Sequence, residues 1–428
     1  MNNNLFMPAD ILLPAKNPEK WAVIACDQYT SEPEYWENVK KTVGNAPSAF
    51  NIIFPEVFLG KNNADRISKI NATMKSYLEN GVFKEYKNTF VYTERTLKNG
   101  KTRRGIIGLI NLDNYSYEKG SKALIRATEA TVKERIPARV EIRRGAHLEM
   151  PHVMLLCDDP ENLLIGGLAS NTGDFECLYD FDLMCGGGHI RGFAPDKAAT
   201  EALRRHTEEL LRKNGGDLLF VVGDGNHSLA AAKECAALGG SHYALVEVVN
   251  IHDSSLEFEP IYRVLFGVEP QKVIEDFIEK CGGEYIGADA QRFTCVYGNT
   301  EREISVRPAS KLAVGTLQAY LDDYLKAHKD VKIDYIHGED SLKKLAGERN
   351  ALGFLFDGMK KEELFDACGR TARFRARPFQ WARRTISVFT LSAGKYNNFI
   401  LQIRQPLGGI VGRPQIEVCS HFFFYPTF

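Results

Sequence analysis

The sequence lacks the features that would place the protein in a membrane or in an oxidising compartment. No stretch of its 428 residues approaches the roughly 20 consecutive apolar residues that a membrane-spanning helix needs. Residues 1–4 carry no basic region and lead into no long apolar core, so we expect no secretory signal. The nine cysteines are scattered singly, without a Cys-x-x-Cys pair, which argues against a disulfide framework or a zinc knuckle. We therefore expect a reduced, cytoplasmic protein without a membrane partner.

Several familiar catalytic motifs are also missing. The sequence contains no Gly-x-Ser-x-Gly nucleophile elbow, no Walker A loop and no complete dinucleotide-binding fingerprint. No His-x-x-x-His, Glu-x-x-His or Cys/His cluster offers convincing transition-metal spacing. Nucleophilic catalysis and a transition-metal centre therefore have little support.

The net charge is close to zero, but the charges are unevenly distributed. The chain has 54 basic and 55 acidic residues, for a formal charge of −1. Residues 369–428 hold nine of the bases and one acid, which leaves an acidic main body. Such a basic tail is compatible with a nucleic-acid arm, an ordinary basic domain or a segment read out of frame. Because duplex binding needs clustered cations, the acidic body argues against a nucleic-acid partner.

Short apolar runs alternate with segments of helical spacing along the chain. Residues 90–97 and 104–112 are predicted strands, joined by the strong hairpin signal Asn99-Gly100. Residues 121–135 have helical spacing, which we expect to be stopped by Pro137. The alternation predicts a mixed α/β protein in which helices pack against mixed sheets.

The most informative segment is a strand–loop–helix motif at residues 217–238. An apolar strand over residues 217–222 leads through Gly223, Asp224, Gly225, Asn226 and His227 into an alanine-rich helix that begins at Ser228. Glycines allow close approach of a ligand, and a helix N-terminus favours an anion, most often phosphate. His227 and Ser228 could donate hydrogen bonds to it, and Asp224 could bind a metal ion or act as a base. An ordinary turn with a helix cap is the alternative.

Further candidate ligand-binding residues lie elsewhere in the chain. Four polar residues follow an apolar strand, where α/β proteins build sites, although a capped turn explains them equally well: Asp27, Gln28, Tyr29 and Thr30. Arg126, Glu129 and Arg139 could line a pocket for an acidic ligand, or Arg126 and Glu129 could form a surface pair. Asn250 and His252 follow another strand and could meet the 223–228 loop.

The segment Gly223-Asp-Gly-Asn-His-Ser-Leu-Ala-Ala-Ala-Lys233 resembles the signature of the bacterial and archaeal family called domain of unknown function 1015. Matching stretches include Ala22-Val-Ile-Ala-Cys-Asp-Gln-Tyr-Thr-Ser31, Pro151-His-Val-Met-Leu-Leu156 and Pro260-Ile-Tyr-Arg-Val264. Together the resemblance covers roughly residues 5–365, which we expect to form the family domain, with two lobes at about 1–150 and 151–365.

The Asp-Gly-x-His core is also similar to the nucleotide-contacting box of the ParB, sulfiredoxin and free-serine-kinase superfamily. This second resemblance covers about a dozen residues and implies contacts with nucleotide phosphates. Ser228 stands where that box usually has Arg, so a charge-assisted fork to phosphate is missing. Arg126, Arg139 or Arg263 could compensate.

Family members usually end with a stretch resembling Leu-Pro-Arg-Lys-Thr-Phe-Ser-Met-Gly-Glu-Ala, which is absent here. With suitable codons, the same DNA read one base later translates as Phe-Arg-Ala-Arg-Pro-Phe-Gln-Trp-Ala-Arg, which is residues 374–383. We therefore predict a one-base slip near residues 365–368, so that residues 366–428 are an out-of-frame, non-native tail.

These observations support three hypotheses. The first is a cytoplasmic enzyme that binds a nucleotide or another phosphorylated small molecule and transfers a phosphoryl group with Mg²⁺. The second is a non-catalytic module that senses a nucleotide or metabolite. The third is a nucleic-acid-associated protein of ParB type, against which the acidic body argues.

Overall fold

The structure is a computed structural model. It describes residues 5–24, 26, 29, 33–60, 62–97, 99–118, 120–128, 136–150, 153–256 and 258–369, together with strand residues 389–391, 397–398 and 403–404.

The strands of the described chain are β1 (Ala9–Pro14), β2 (Val23–Ile24), β3 (Phe83–Thr89), β4 (Val91–Thr96), β5 (Thr102–Asn111), β6 (Tyr115–Ser116), β7 (Ile125–Arg126), β8 (Leu148–Glu149), β9 (Val153–Cys157), β10 (Glu176–Asp182), β11 (His189–Ala194), β12 (Phe220–Asp224), β13 (Tyr243–Asn250), β14 (Phe258–Phe266), β15 (Gln291–Tyr297), β16 (Thr300–Val306), β17 (Lys332–His337), β18 (Ala351–Phe356), β19 (Phe389–Leu391), β20 (Asn397–Asn398) and β21 (Ile403–Arg404). The α-helices are α1 (Pro18–Trp21), α2 (Pro33–Val43), α3 (Asn63–Glu79), α4 (Ile136–Arg144), α5 (Gly166–Ala169), α6 (Lys197–Lys213), α7 (Asn226–Ala237), α8 (Pro270–Lys280), α9 (Ala313–Ala327), α10 (Glu339–Ala346) and α11 (Glu363–Ala367).

Two large sheets organise these elements, the first mixed and the second antiparallel, and the predicted mixed α/β class is confirmed. The first has nine strands in the order β10-β11-β4-β5-β13-β9-β12-β7-β6. Its pairs are antiparallel except β13 with β9, β12 with β7 and β6 with β7. The second sheet has the order β16-β15-β18-β14-β17, with β19 also paired to β14. The predicted hairpin is confirmed, because β4 pairs antiparallel with β5 and Gly100 takes the left-handed backbone that such a turn requires, with φ 80°.

The two faces of the nine-stranded sheet pack against different partners, because successive side chains of a strand point to opposite faces. On one face, Leu155 and Val222 join a buried cluster with Leu203 of α6 and Leu229 of α7. The opposite face is divided between two clusters. Its residues include Leu156, Val221 and Val249 in a cluster shared with the second sheet and its helices, and Val91, Ile107 and Leu245 in a cluster with the N-terminal elements.

The prediction of a helix over residues 121–135 is wrong for the part that the structure describes. Ile125 and Arg126 form strand β7, which pairs in parallel with both β12 and β6. The helix begins only at Ile136. Pro137 therefore lies in the first turn of α4, where its missing N–H costs nothing, and it marks the start of a helix rather than its end. Residues 129–135 lie outside the described residues.

The point in the chain at which the second sheet begins differs from the lobe boundary expected near residue 150. Strands from both sides of residue 150 interleave in the nine-stranded sheet, and the second sheet starts at Phe258. Of the predicted out-of-frame tail, residues 366–428, the structure describes residues 366–369 and strands β19, β20 and β21. The frame slip itself stays a prediction. None of the helices in the described part of the chain is both long and apolar enough to cross a membrane.

Candidate functional site

The predicted strand–loop–helix motif is present at residues 217–238. Strand β12 ends at Asp224, Gly225 forms a one-residue link, and α7 begins at Asn226, two residues earlier than predicted. Gly225 has φ 85° and ψ 27°, the left-handed region that a residue with a Cβ adopts only at a cost. The glycine therefore makes the abrupt change from strand to helix possible.

The start of α7 differs from an ordinary capped helix start in the same protein. At the start of α6, Asp196 accepts a hydrogen bond from the Ala199 amide at 2.7 Å. In α7 the N-cap position is Gly225, which has no side chain to do this. The first amide bonded back along the helix is that of Leu229, at 2.9 Å from the Gly225 carbonyl. The amides of residues 226–228 thus come before the first helical hydrogen bond, at the positive end of the helix dipole.

Two of the predicted turn residues serve the local structure. The Asp224 Oδ1 atom accepts the Gly225 N–H at 2.7 Å, so this carboxylate helps to shape the turn. A Cβ placed on Gly223 would lie 2.9 Å from Leu156 Cγ, which is too close, and the pairing of β12 with β9 shifts register at this point. Gly223 is therefore required for packing against β9.

Asn226 points into the protein rather than away from it. It is buried, and its Oδ1 atom accepts the Thr128 N–H while its Nδ2 atom donates to Thr128 Oγ1, both at 3.2 Å. Thr128 Oγ1 in turn donates to the Val222 carbonyl at 2.6 Å. These bonds hold the residue after β7 against the start of α7. Thr128 was not among the predicted residues, because its role depends on a contact across 98 positions in sequence.

Asp224, His227 and Ser228 are half-buried, as are the two glycines of the turn. Asp224 lies opposite Met154 in the β12–β9 pair, and Met154 lies opposite Glu247 in the β9–β13 pair. Directly paired residues share one face of a sheet, so Asp224 and Glu247 lie on the same face, two strands or roughly 10 Å apart.

A polar strip, formed by buried Thr93 and Arg103 and half-buried Glu247, extends across this face. Arg103 Nη2 donates to both Glu247 carboxylate oxygens, at 3.1 and 3.3 Å. A Cβ on Gly105 would lie 2.5 Å from Glu247 Oε1, so the glycine gives the Glu247 side chain room to cross β5. Sequence reasoning missed this strip. Its available signal was the single charged residue in the otherwise apolar strand around Glu247.

Arg126 is enclosed by protein groups. Its guanidinium donates to the carbonyls of Ala123, Asp217, Cys368 and Gly369 at 2.7–3.3 Å, and to Asp217 Oδ1 at 2.7 Å. It is 5% exposed. Arg126 thus connects β7 to the start of β12 and to the end of α11. Its predicted contact with a ligand stays a prediction, and its partner Glu129 lies outside the described residues.

Arg139 and the residues after β2 lie in one neighbourhood. Arg139 on α4 forms an ion pair with Glu56, whose amide donates to the Cys26 carbonyl at 2.7 Å. Tyr29 stacks on Tyr35 with ring centroids 3.9 Å apart. Of the other residues predicted there, Asp27, Gln28 and Thr30 lie outside the described residues.

Arg263 lies in the second sheet. It is fully buried on β14, where Nε donates to Gln318 Oε1 at 2.8 Å and Nη1 donates to the Ile261 carbonyl. The Tyr335 ring lies 4.5 Å below the guanidinium carbon. Burial lowers the pKa of Arg263 to about 10. Its predicted compensating contact with phosphate stays a prediction.

Asn250 and His252 do not meet the 223–228 turn, contrary to expectation. Asn250 pairs with Cys157 at the C-terminal end of β9, whereas Asp224 pairs with Met154 near its N-terminal end. His252 Nε2 lies 2.7 Å from Oδ1 of Asp158, the residue that follows the C-terminal end of β9. The antiparallel run of β12 against β9 separates the two groups by about 10 Å along the strand.

The described residues contain no group of three or more His, Cys, Asp or Glu side chains that could hold a metal ion. Within residues 223–228, Asp224 is the one carboxylate. That fits Mg²⁺ brought by a ligand's phosphates, since this ion keeps several waters and commonly takes only one or two carboxylates.

A cavity of about 150 Å³ lies at the other end of α7, lined in part by Arg143, Arg144 and Cys235. Arg143 pairs with Glu149 there, and burial raises the pKa of the Cys235 thiol. Because α7 has 12 residues, this cavity is about 18 Å from the 223–228 turn.

Comparison with solved structures gives similarities of low identity. A conserved hypothetical protein from Pyrococcus furiosus is 13% identical, with a TM-score of 0.34 over 69% of this chain and 94% of that one. Free serine kinase in complex with AMP is 13% identical, with a TM-score of 0.33 over 61% and 81% of the two chains. SbnI with a C-terminal truncation, from Staphylococcus aureus, is 13% identical, with a TM-score of 0.34 over 68% and 85%. We draw nothing about chemistry from scores this low.

No curated protein matches the chain. The sequence profile of the family described as "Protein of unknown function (DUF1015)" matches residues 9–337, most of the region over which the motifs predicted the resemblance. The chain therefore belongs to the DUF1015 family.

Proposed function

We propose that the protein binds a nucleotide or another phosphorylated small molecule at the 223–228 turn, and that its reaction is phosphoryl transfer. One observation carries the proposal: α7 begins directly after β12, at a left-handed Gly225 that provides no side-chain cap. This arrangement presents the amides of residues 226–228 at the positive end of a 12-residue helix, where a phosphate is stabilised.

The half-buried side chains around the turn complete the proposed site. Ser228 lies in the first turn of α7 and donates its hydroxyl to phosphate, and His227 beside it donates from its ring. Asp224 is the metal partner or the base. Magnesium, when brought by the ligand's phosphates, supplies neutralisation of their charge. Asp224 itself holds the Gly225 amide through Oδ1, which fixes the direction of its carboxylate.

The polar strip supports a ligand larger than phosphate. Thr93, Arg103 and Glu247 lie on the same sheet face as Asp224, and Glu247 is roughly 10 Å from it. Around the strip, this face carries buried Arg95, which lies opposite Arg103, and apolar side chains of two buried clusters. Charged groups at such a boundary suit the polar parts of a small molecule held between the clusters.

A non-catalytic sensing module is the second candidate. Its support is that residues 223–228 contain one carboxylate, Asp224, and that the described residues form no group of three or more side chains able to hold a metal ion. Phosphotransferases commonly hold their metal ions with more than one oxygen ligand from the protein. The two candidates predict the same ligand and differ in whether the nucleotide is converted.

A thermal-shift titration with ATP and ADP, with and without Mg²⁺, tests the proposal. We expect both to raise the unfolding temperature, with product formed from ATP only if the protein is a phosphotransferase. Asp224→Asn keeps an oxygen for the Gly225 amide, so we expect it to retain the fold and lose turnover. Asp65→Asn, at an exposed position in the first turn of α3, is the matched control. Absence of any shift with either nucleotide would contradict the proposal.

A further inference from the structure

We infer that Arg139 is a positioning residue: its ion pair with Glu56 holds the chain at Cys26 in place relative to the helix that begins at the 223–228 turn. The consequence for ligand affinity rests on the proposed function. The positioning itself is a statement about the fold and can be tested without a ligand.

The first step is the attachment of α4 to α7. Ile136 of α4 packs in a buried cluster with Ala230 and Ala231 of α7, and Val140 packs against the same cluster. Alanine at these positions lets the two helices approach closely. Ala230 and Ala231 lie one turn after the start of α7, so α4 is fixed relative to the residues that we propose bind phosphate.

The second step is the ion pair. Arg139 Nη2 contacts Glu56 Oε1, and the two side chains are only 20% and 24% exposed. Arg143, one helical turn further along α4, contacts Glu149 in the same way. The same side of α4 therefore makes two ionic contacts with other segments, and the Arg139 contact reaches the turn over Glu56–Phe58.

The third step leads from Glu56 to the segment after β2. The Glu56 amide donates to the Cys26 carbonyl at 2.7 Å, so displacement of Glu56 displaces Cys26. Tyr29 is held separately by α2, because Trp36 Nε1 donates to its carbonyl at 3.2 Å and Tyr35 stacks on its ring. Tyr29 also has φ 52°, a backbone conformation that persists only when its surroundings maintain it.

Together these contacts connect the two segments that the sequence singled out as site candidates. The path runs from Cys26 through Glu56 and Arg139 to α4, and from α4 to the beginning of α7. Loss of the ion pair releases one end of the segment and leaves the contacts of Tyr29 in place. Affinity then falls because the site is less pre-organised, although no ligand contact has been removed.

The test compares Arg139→Ala, Glu56→Gln and the charge exchange Arg139→Glu with Glu56→Arg. Arg144→Ala is the matched control, because Arg144 lies exposed at the end of the same helix. Hydrogen exchange of a peptide containing Glu56, whose amide donates to the Cys26 carbonyl, is the ligand-independent measurement. The dissociation constant of ATP with Mg²⁺ is the second one.

We expect each single variant to speed exchange of the Glu56 amide and to weaken ATP binding by about tenfold, with the charge exchange restoring most of both. The control should change neither. If Arg139→Ala weakens ATP while Glu56→Gln does not, Arg139 contacts the ligand directly and the inference is wrong. Unchanged exchange in both single variants also overturns it. If the wild type binds no ATP, the proposed function fails, and the exchange measurement still decides the inference.

Discussion

Gly225→Ala is the substitution that tests most closely how the turn works. Gly225 has φ 85°, and a residue with a Cβ pays about 1–2 kcal/mol to adopt the left-handed region. The free energy of unfolding should therefore fall by about that amount. The new Cβ also stands at the N-cap position, beside the amides that we propose bind phosphate. We expect nucleotide affinity to fall as well, because the helix start must shift to relieve the strain.

The same helix supplies a matched control. Gly239 follows the other end of α7 with φ 89°, and a Cβ on it would meet no atom within 4 Å. Gly239→Ala should cost a similar 1–2 kcal/mol through its backbone alone. Urea denaturation measures both losses, and an ATP titration with Mg²⁺ measures affinity. Equal ATP affinity in the two variants would refute the reasoning, as would a Gly225→Ala protein of unchanged stability.

Three further predictions follow from other parts of the molecule. Glu247→Gln leaves Arg103, which is 3% exposed, without its carboxylate partner, so the free energy of unfolding in urea should fall by about 3 kcal/mol. The control Glu209→Gln breaks an exposed pair with Lys213 and should change the free energy of unfolding by under about 0.5 kcal/mol. The two ring nitrogens of His189 each lie 2.7 Å from a carboxylate oxygen, one of Asp182 and one of Asp180, and these hydrogen bonds raise the pKa of His189. The contribution of protonated His189 to stability is therefore complete at low pH and is lost as the pH rises through the folded-state pKa. Accordingly, His189→Gln should reduce the unfolding temperature more at pH 5.5 than at pH 8.5, and an equal reduction would contradict this. If residues 366–428 are out of frame, a chain ending at Gly369 should unfold at the same urea concentration as the full chain. A chain ending at residue 362 also loses the buried side chains of Leu364 and Phe365. Its free energy of unfolding should be lower by several kcal/mol, since each buried side chain contributes about 2–5 kcal/mol.

Local chemistry explains which parts of the fold could be predicted from the sequence. The Asn99-Gly100 hairpin and the start of α7 each depend on residues within a few positions of one another. The helix predicted over residues 121–135 failed because a proline can end one helix or begin the next, and Pro137 does the latter. Spacing alone does not distinguish the two cases.

The candidate site was only partly predictable, because its remaining contacts join distant segments. Arg103 meets Glu247 across 144 positions, and only the register of β5 and β13 brings them together. Arg126 was predicted to bind a ligand, which stays a prediction, and its contacts with the carbonyls of Asp217 and Gly369 were not predicted. A charged residue in a short strand gives no sequence signal for a partner so far along the chain.

A crystal structure with a non-hydrolysable ATP analogue and Mg²⁺ tests the central claim most directly. The account predicts a phosphate oxygen within hydrogen-bond distance, about 2.7–3.2 Å, of an amide among residues 226–228, with Asp224 facing the phosphates. An analogue bound elsewhere on the protein, or protein atoms filling the place in front of those amides in the complex, would contradict it.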